Sequence, residues 1–165
     1  MLRFRDQRRN AAWGTRRSPC WVVTYFLRLA LLFQPASLPR VSALPPANLV
    51  ELAANAVGAT QRGLPADLRA LARGVIVHYE AQPAASVIAS GFPSDILGLF
   101  TGPAYGDTSG HEPGTPQIML YLDNLWDFAE GDETVFKDEV QLTYLHELGH
   151  YLGWDEDEVA ARGLD

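Results

Sequence analysis

The sequence predicts an α+β fold, in which a short mixed sheet packs against a long helix near the C-terminus. Two short, mostly apolar runs are typical of strands: GVIVHYE at 74–80, which is rich in β-branched residues, and QIMLYL at 117–122. Two helical patterns precede the first run, and the long helical pattern TVFKDEVQLTYLHELGHYL, about 134–152, follows the second. The order is helix, helix, strand, short strand, loop, strand, helix, which is typical of an α+β fold.

Charge divides the chain into two parts. Residues 1–44 carry eight arginines and one acid, a net charge of +7, whereas residues 45–165 carry five basic residues and nineteen acids, a net charge of −14. We therefore predict a basic leader over 1–44 and one domain over 45–165. The overall charge of −7 argues against nucleic acid as the main partner.

The leader resembles an export signal, and its interpretation stays open. It has an arginine-rich start, an apolar run at 21–33 and small residues at 41–43. However, Arg28 interrupts the apolar run, which is also shorter than the roughly 20 residues of a transmembrane helix. Three interpretations of the leader stay open: a disordered extension, a mis-assigned start, and a signal or weak membrane anchor. The single cysteine, Cys20, lies in it, so the domain has no cysteine for a disulfide or zinc site, which fits a cytoplasmic protein.

The first half of the domain contains two helices and one or two strands. A helix is predicted over 47–60, with Asn48 as a candidate cap and with its buried side at Leu49, Leu52, Ala53, Ala56 and Val57. A second helix is predicted over 65–72, with proline near its first turn. The strand at 74–80 follows, and residues 96–102 are either a short strand or a turn.

The second half leads from a loop to the long helix. Residues 102–116 hold four glycines and three prolines and are predicted to be a loop. The strand at 117–122 is predicted to be an edge that can pair with an extended peptide, and a helical turn is expected after it. The long helix is predicted to bury Val135, Leu142, Tyr144, Leu145, Leu148 and Leu152.

The segment HELGH, residues 146–150, has the H-E-x-x-H pattern of a catalytic zinc site. His146 and His150 are four residues apart, so they lie on one helix face and can bind one ion. Glu147 lies about 100° round the helix, where it can hold a water molecule without binding the metal. Zinc with three protein ligands keeps a fourth position for water, and Glu147 is the predicted general base.

An acid after Gly153 is needed as the third ligand. Gly153 can end the helix in a left-handed conformation and turn the chain back. Glu156 then occupies the position of the last histidine in H-E-x-x-H-x-x-G-x-x-H, and is the predicted ligand. Asp155 and Asp157 are the alternatives. Acids that do not bind the metal are expected to accept the N–H of a ligating histidine.

Other candidate residues carry weaker predictions. His78, in a predicted strand, is expected to be structural, and His111 is expected to be an ordinary loop residue. Tyr105 and Tyr151 could donate hydrogen bonds to an oxyanion. Trp154 is expected to pack under the turn.

The domain resembles the minimal zincins, small bacterial proteins regarded as zinc metallopeptidases. The resemblance rests on LPADLRALARGVIVHYE, PSDILGLFTG, QIMLYLDNL and LHELGHYLGWDEDEV, and it covers about 47–165. It implies a zincin-like fold, one zinc ion, peptidase activity and a cytoplasmic location. Glu156 stands where that family usually has aspartate.

Two functions are compatible with these observations. The first is a zinc-dependent metallopeptidase that hydrolyses peptides or unfolded protein segments, with His146, His150 and Glu156 as metal ligands and Glu147 as catalytic base. The second is a zinc-stabilised binding or regulatory module without catalysis. Glu147 favours the first, because a structural site needs no carboxylate beside an open position. The nine residues after Glu156 are too few for the far wall of a cleft, which favours the second.

Overall fold

The computed structural model describes residues 47–107 and 114–164. The predicted leader lies outside these residues. The predicted α+β fold is confirmed over the described part of the chain, where the elements are α1 (Leu49–Gly63), α2 (Ala66–Ala72), β1 (Ile76–Glu80), α3 (Ala85–Ala89), β2 (Gly98–Thr101), β3 (Gln117–Tyr121), α4 (Leu122–Phe128), α5 (Glu133–Tyr151) and α6 (Glu156–Ala160).

The strands form a mixed sheet in the order β1-β3-β2. β1 pairs with β3 in parallel, and β2 pairs with β3 antiparallel. The prediction that residues 117–122 form an edge is therefore wrong, because β3 is bonded on both sides. β1 and β2 are the edges, and β2 lies next to the long helix α5.

The core lies between the sheet and helices α1 and α5. Ile118 and Leu120 of β3 are fully buried in it. α1 contributes the expected apolar face, with Leu52 only partly buried. The side chain of Asn48 makes no capping hydrogen bond, contrary to prediction.

The buried side of α5 differs in part from the prediction. Val135 is 41% exposed, and the neighbouring Phe136 is fully buried instead, with its ring against Trp126. A shift of one residue rotates a helix position by about 100°. Tyr144 and Leu148 are buried as predicted, whereas Leu142, Leu145 and Leu152 are half-buried.

Three short helices extend what the sequence predicted. α4 replaces the expected helical turn and buries Leu125 and Trp126. α3 and α6 have five residues each and were not predicted. Of the helices in 47–107 and 114–164, none is long and apolar enough to cross a bilayer.

Candidate metal centre and active site

Helix α5 brings the two histidines together. It begins at the N-cap Asp132, whose carboxylate accepts hydrogen bonds from the N–H groups of Thr134 and Val135. Near its C-terminal end, His146 and His150 face each other across one turn, with their Nε2 atoms 3.0 Å apart. The predicted convergence of the two imidazoles is therefore present in the structure.

Gly153 ends α5 in the way its spacing predicted. Its φ of +86° lies in the left-handed region. The N–H of Gly153 donates to the carbonyl of His150, and the N–H of Trp154 donates to the carbonyl of Gly149, both at 3.0 Å. This pair of bonds is the Schellman motif of helix ends. It reverses the chain, so that α6 starts only a few residues after His150.

Glu156 is the acid that reaches the histidines. Its carboxylate oxygens lie 3.4 Å from Nε2 of His150 and 3.7 Å from Nε2 of His146. Asp155 instead caps α6: its carboxylate accepts from the N–H of Glu158, whose side chain accepts from the N–H of Asp155. Asp157 points to solvent.

The three side chains converge closely enough to share one metal ion. Bonds of about 2.0–2.1 Å to zinc place neighbouring donor atoms about 3.4 Å apart. The two Nε2 atoms lie 3.0 Å apart, Oε1 of Glu156 lies 3.4 Å from Nε2 of His150, and its Oε2 lies 3.7 Å from Nε2 of His146. With one donor atom taken from each residue, the three donors lie within 4.8 Å of one another. The group formed by His146, His150 and Glu156 can therefore hold a metal.

The hydrogen bonds of the histidines also favour an ion. Nδ1 of His146 lies 2.9 Å from the carbonyl oxygen of Leu164, and Nδ1 of His150 lies 3.0 Å from that of Trp154. A carbonyl only accepts, so each Nδ1 donates. In neutral rings both Nε2 atoms then present lone pairs to each other, which a cation between them would stabilise. The prediction that nearby acids accept the N–H of the histidines is wrong, because main-chain carbonyls accept both of these hydrogen bonds.

Glu147 lies beside this group in a different environment. Its side chain is 3% exposed. Burial raises the pKa of Glu147 to about 8; the backbone N–H of Phe100 opposes this by donating to the carboxylate, and the charge of Glu156 adds to it. A Cβ at Gly98 would lie 3.0 Å from the Glu147 Oε1 atom, so only glycine lets β2 approach so closely.

The family model described as zincin-like metallopeptidase matches residues 72–164, from the end of α2 to the segment after α6. The chain belongs to the zincin-like metallopeptidase family. No curated protein gives a significant match.

The remaining candidates of this zincin-like chain make structural contacts or lie outside the described residues. His78 hydrogen bonds Gln117 between β1 and β3 at 2.7 Å, as a structural residue would. His111 is not among the described residues. Tyr151 is buried, with its ring against those of Phe100 and Tyr105.

Sequence reasoning missed the parts of the site that side-chain patterns do not reveal. Trp154 packs under the turn as predicted, but its contact with Gly149 was not foreseen: a Cβ at Gly149 would lie 3.0 Å from the Cε3 atom of the ring. Tyr121 was not singled out, yet burial, followed by the charges of Glu80 and Glu147, raises the pKa of its hydroxyl to about 12. The main-chain groups of Phe100 and Leu164 have no signature in the sequence.

Proposed function

We propose that this zincin-like protein is a zinc-dependent peptidase that hydrolyses extended peptides or unfolded protein segments. The observation that carries the proposal is the buried carboxylate of Glu147 beside the convergent His146, His150 and Glu156. A purely structural site needs no second acid at this place.

The residues of the site divide into ligands and a base. Nε2 of His146, Nε2 of His150 and the Glu156 carboxylate would hold the ion. Bound zinc would polarise the peptide carbonyl and lower the pKa of water. Glu147 takes the proton of the attacking water and passes it to the nitrogen of the leaving amine, so that one C–N bond breaks and one C–O bond forms.

The edge strand β2 supplies a place for the substrate backbone. Tyr121 donates its N–H to the carbonyl of Leu97, so Leu97, Leu99 and Thr101 turn their backbone groups toward β3. Gly98 and Phe100 turn theirs the other way, where Phe100 reaches Glu147. An extended peptide that pairs with β2 would therefore pass beside the base.

The decisive experiment compares Glu147→Ala with Asp157→Ala, a nearby exposed acid. Both variants and the wild type are loaded with zinc and assayed against a peptide library and an unfolded protein. Glu147→Ala should keep its metal and lose roughly 100-fold or more in hydrolysis. Asp157→Ala should cut like the wild type.

The outcomes separate the two functions. Unchanged hydrolysis in Glu147→Ala would show that the activity comes from elsewhere. A wild type that holds zinc but cuts no substrate would favour the non-catalytic binding module.

A further inference from the structure

Helix α6 ends with the same arrangement as α5. The N–H of Gly163 donates to the carbonyl of Ala160 at 2.9 Å, and the N–H of Leu164 donates to that of Val159 at 3.3 Å. Gly163 has a φ of +70°. Both helices thus end in a glycine turn of the Schellman type.

In each turn, the residue after the glycine offers its carbonyl to a histidine of the metal group. Trp154 follows Gly153 and accepts from Nδ1 of His150; Leu164 follows Gly163 and accepts from Nδ1 of His146. The first acceptor lies only four residues beyond its histidine. The second lies 18 residues away along the chain, so its position depends on how α6 and its end are packed.

The contact with Leu164 constrains a buried ring. His146 is 2% exposed, so water is not a ready substitute acceptor for its Nδ1 proton. With the proton held at Nδ1, the Nε2 lone pair faces His150 and Glu156. If the carbonyl moved away, the ring would be free to carry its proton on Nε2 or to rotate, and each change removes a metal donor.

Packing between the two turns holds the second one in place. Val159 of α6 is fully buried, and its Cγ2 atom would lie 3.1 Å from a Cβ at Gly149. The guanidinium of Arg162 lies over the Trp154 ring, 4.0 Å from its centroid. The turn at Gly163 is therefore attached to the end of the helix that carries both histidines.

We infer that the turn at Gly163–Leu164 is a positioning element of the metal site, in which the main-chain carbonyl of Leu164 fixes the tautomer and orientation of His146. The inference rests on the proposed metal site, but it concerns residues that bind no metal themselves. Loss of a hydrogen-bond partner of a ligating histidine typically lowers metal affinity roughly 10- to 100-fold.

Substitutions at Gly163 test the inference without touching a side-chain contact. A Cβ there would meet nothing within 4 Å, so only the backbone conformation is disturbed. Gly163→Val disfavours positive φ, whereas Gly163→Asn tolerates it. Gly91→Val is the matched control, because Gly91 follows the five-residue helix α3, has a φ of +101° and also has open space. Leu164→Ala keeps the carbonyl and removes the side chain.

Two readouts are needed. Zinc affinity is measured by competition with a chelator, and the Nδ1 proton of His146 is observed by NMR in the metal-free protein. Gly163→Val should lose roughly 10- to 100-fold in zinc affinity and lose the slowly exchanging Nδ1 proton. Gly163→Asn, Leu164→Ala and Gly91→Val should remain close to the wild type in both readouts.

Three results would overturn the inference. They are an unchanged Nδ1 proton and affinity in Gly163→Val, an equal loss in Gly91→Val, and a loss in Leu164→Ala as large as that in Gly163→Val. A wild type that binds no zinc would instead refute the proposed function, and the NMR readout would still decide whether Leu164 orients His146.

Discussion

Gly149→Ala should weaken metal binding and change the stability of the fold only slightly. Gly149 lies inside α5, and its added Cβ would be 3.0 Å from Cε3 of Trp154 and 3.1 Å from Cγ2 of Val159. Overpacking of this kind costs about 1–3 kcal/mol. Replacing a helical glycine with alanine returns about 1 kcal/mol. The net loss in the free energy of unfolding is therefore about 0–2 kcal/mol.

Metal affinity has no such compensation. The Trp154 ring must move to admit the new methyl group, and the carbonyl of Trp154 holds Nδ1 of His150. The displacement also reaches α6, which carries Glu156. We expect zinc affinity to fall roughly 10-fold or more.

Gly58→Ala in α1 is the control. Its Cβ would meet only the mobile end of Arg62, at 3.3 Å, so it should stabilise the protein by about 0.5–1 kcal/mol. Urea unfolding of the metal-free proteins and chelator competition measure the two quantities. If Gly149→Ala stabilises the protein as much as Gly58→Ala and binds zinc unchanged, the packing argument is wrong.

Three further predictions concern β2, the start of α6 and pH. Gly98→Ala places a Cβ 2.6 Å from Cγ2 of Thr143, so β2 should move away from α5. The free energy of unfolding in urea should fall by about 1–3 kcal/mol, and peptide hydrolysis should be reduced. Wild-type values of both quantities would refute the close approach of β2 to α5. Asp155→Ala and Asp132→Ala each remove a helix N-cap, and each should lower the free energy of unfolding by about 1 kcal/mol. Only Asp155→Ala should also lower zinc affinity in a chelator titration. Equal effects of the two substitutions on affinity would exclude a specific role of α6. For pH, burial raises the pKa of Glu147 from 4.5 to about 8, so the folded metal-free protein keeps a proton that the unfolded chain has lost. The stability of the metal-free protein should fall as pH rises from about 4.5 to about 8, by at most ~5 kcal/mol at ~1.4 kcal/mol per pKa unit. In Glu147→Gln, unfolding curves recorded across that range should lack this pH dependence of the free energy of unfolding. A pH dependence equal to that of the wild type would contradict the assignment to Glu147.

Local patterns predicted the elements that have strong periodicity. The strands at 74–80 and 117–122 appear as β1 and β3, and the long helix appears as α5. The spacing around Gly153 also predicted the turn that brings Glu156 back to the histidines. These features depend on residues close together in the chain, so a sequence pattern can contain them.

The rest depends on contacts between distant segments or on main-chain groups. The position of β3 between β1 and β2 follows from pairing across the whole domain, which alternation within one strand does not encode. Asp155 was considered as an alternative metal ligand, although Asp155 and Glu158 have the spacing of a capping box. The carbonyl of Leu164 cannot be inferred from side-chain chemistry, because every residue has a carbonyl.

The most direct measurement is the zinc content of the wild type, Glu156→Ala and Asp157→Ala after reconstitution and dialysis. The geometry predicts one zinc per chain in the wild type and in Asp157→Ala, and loss of zinc from Glu156→Ala. Zinc lost from Asp157→Ala and kept by Glu156→Ala would move the third ligand by one residue. A wild type that retains no zinc would contradict the metal site itself.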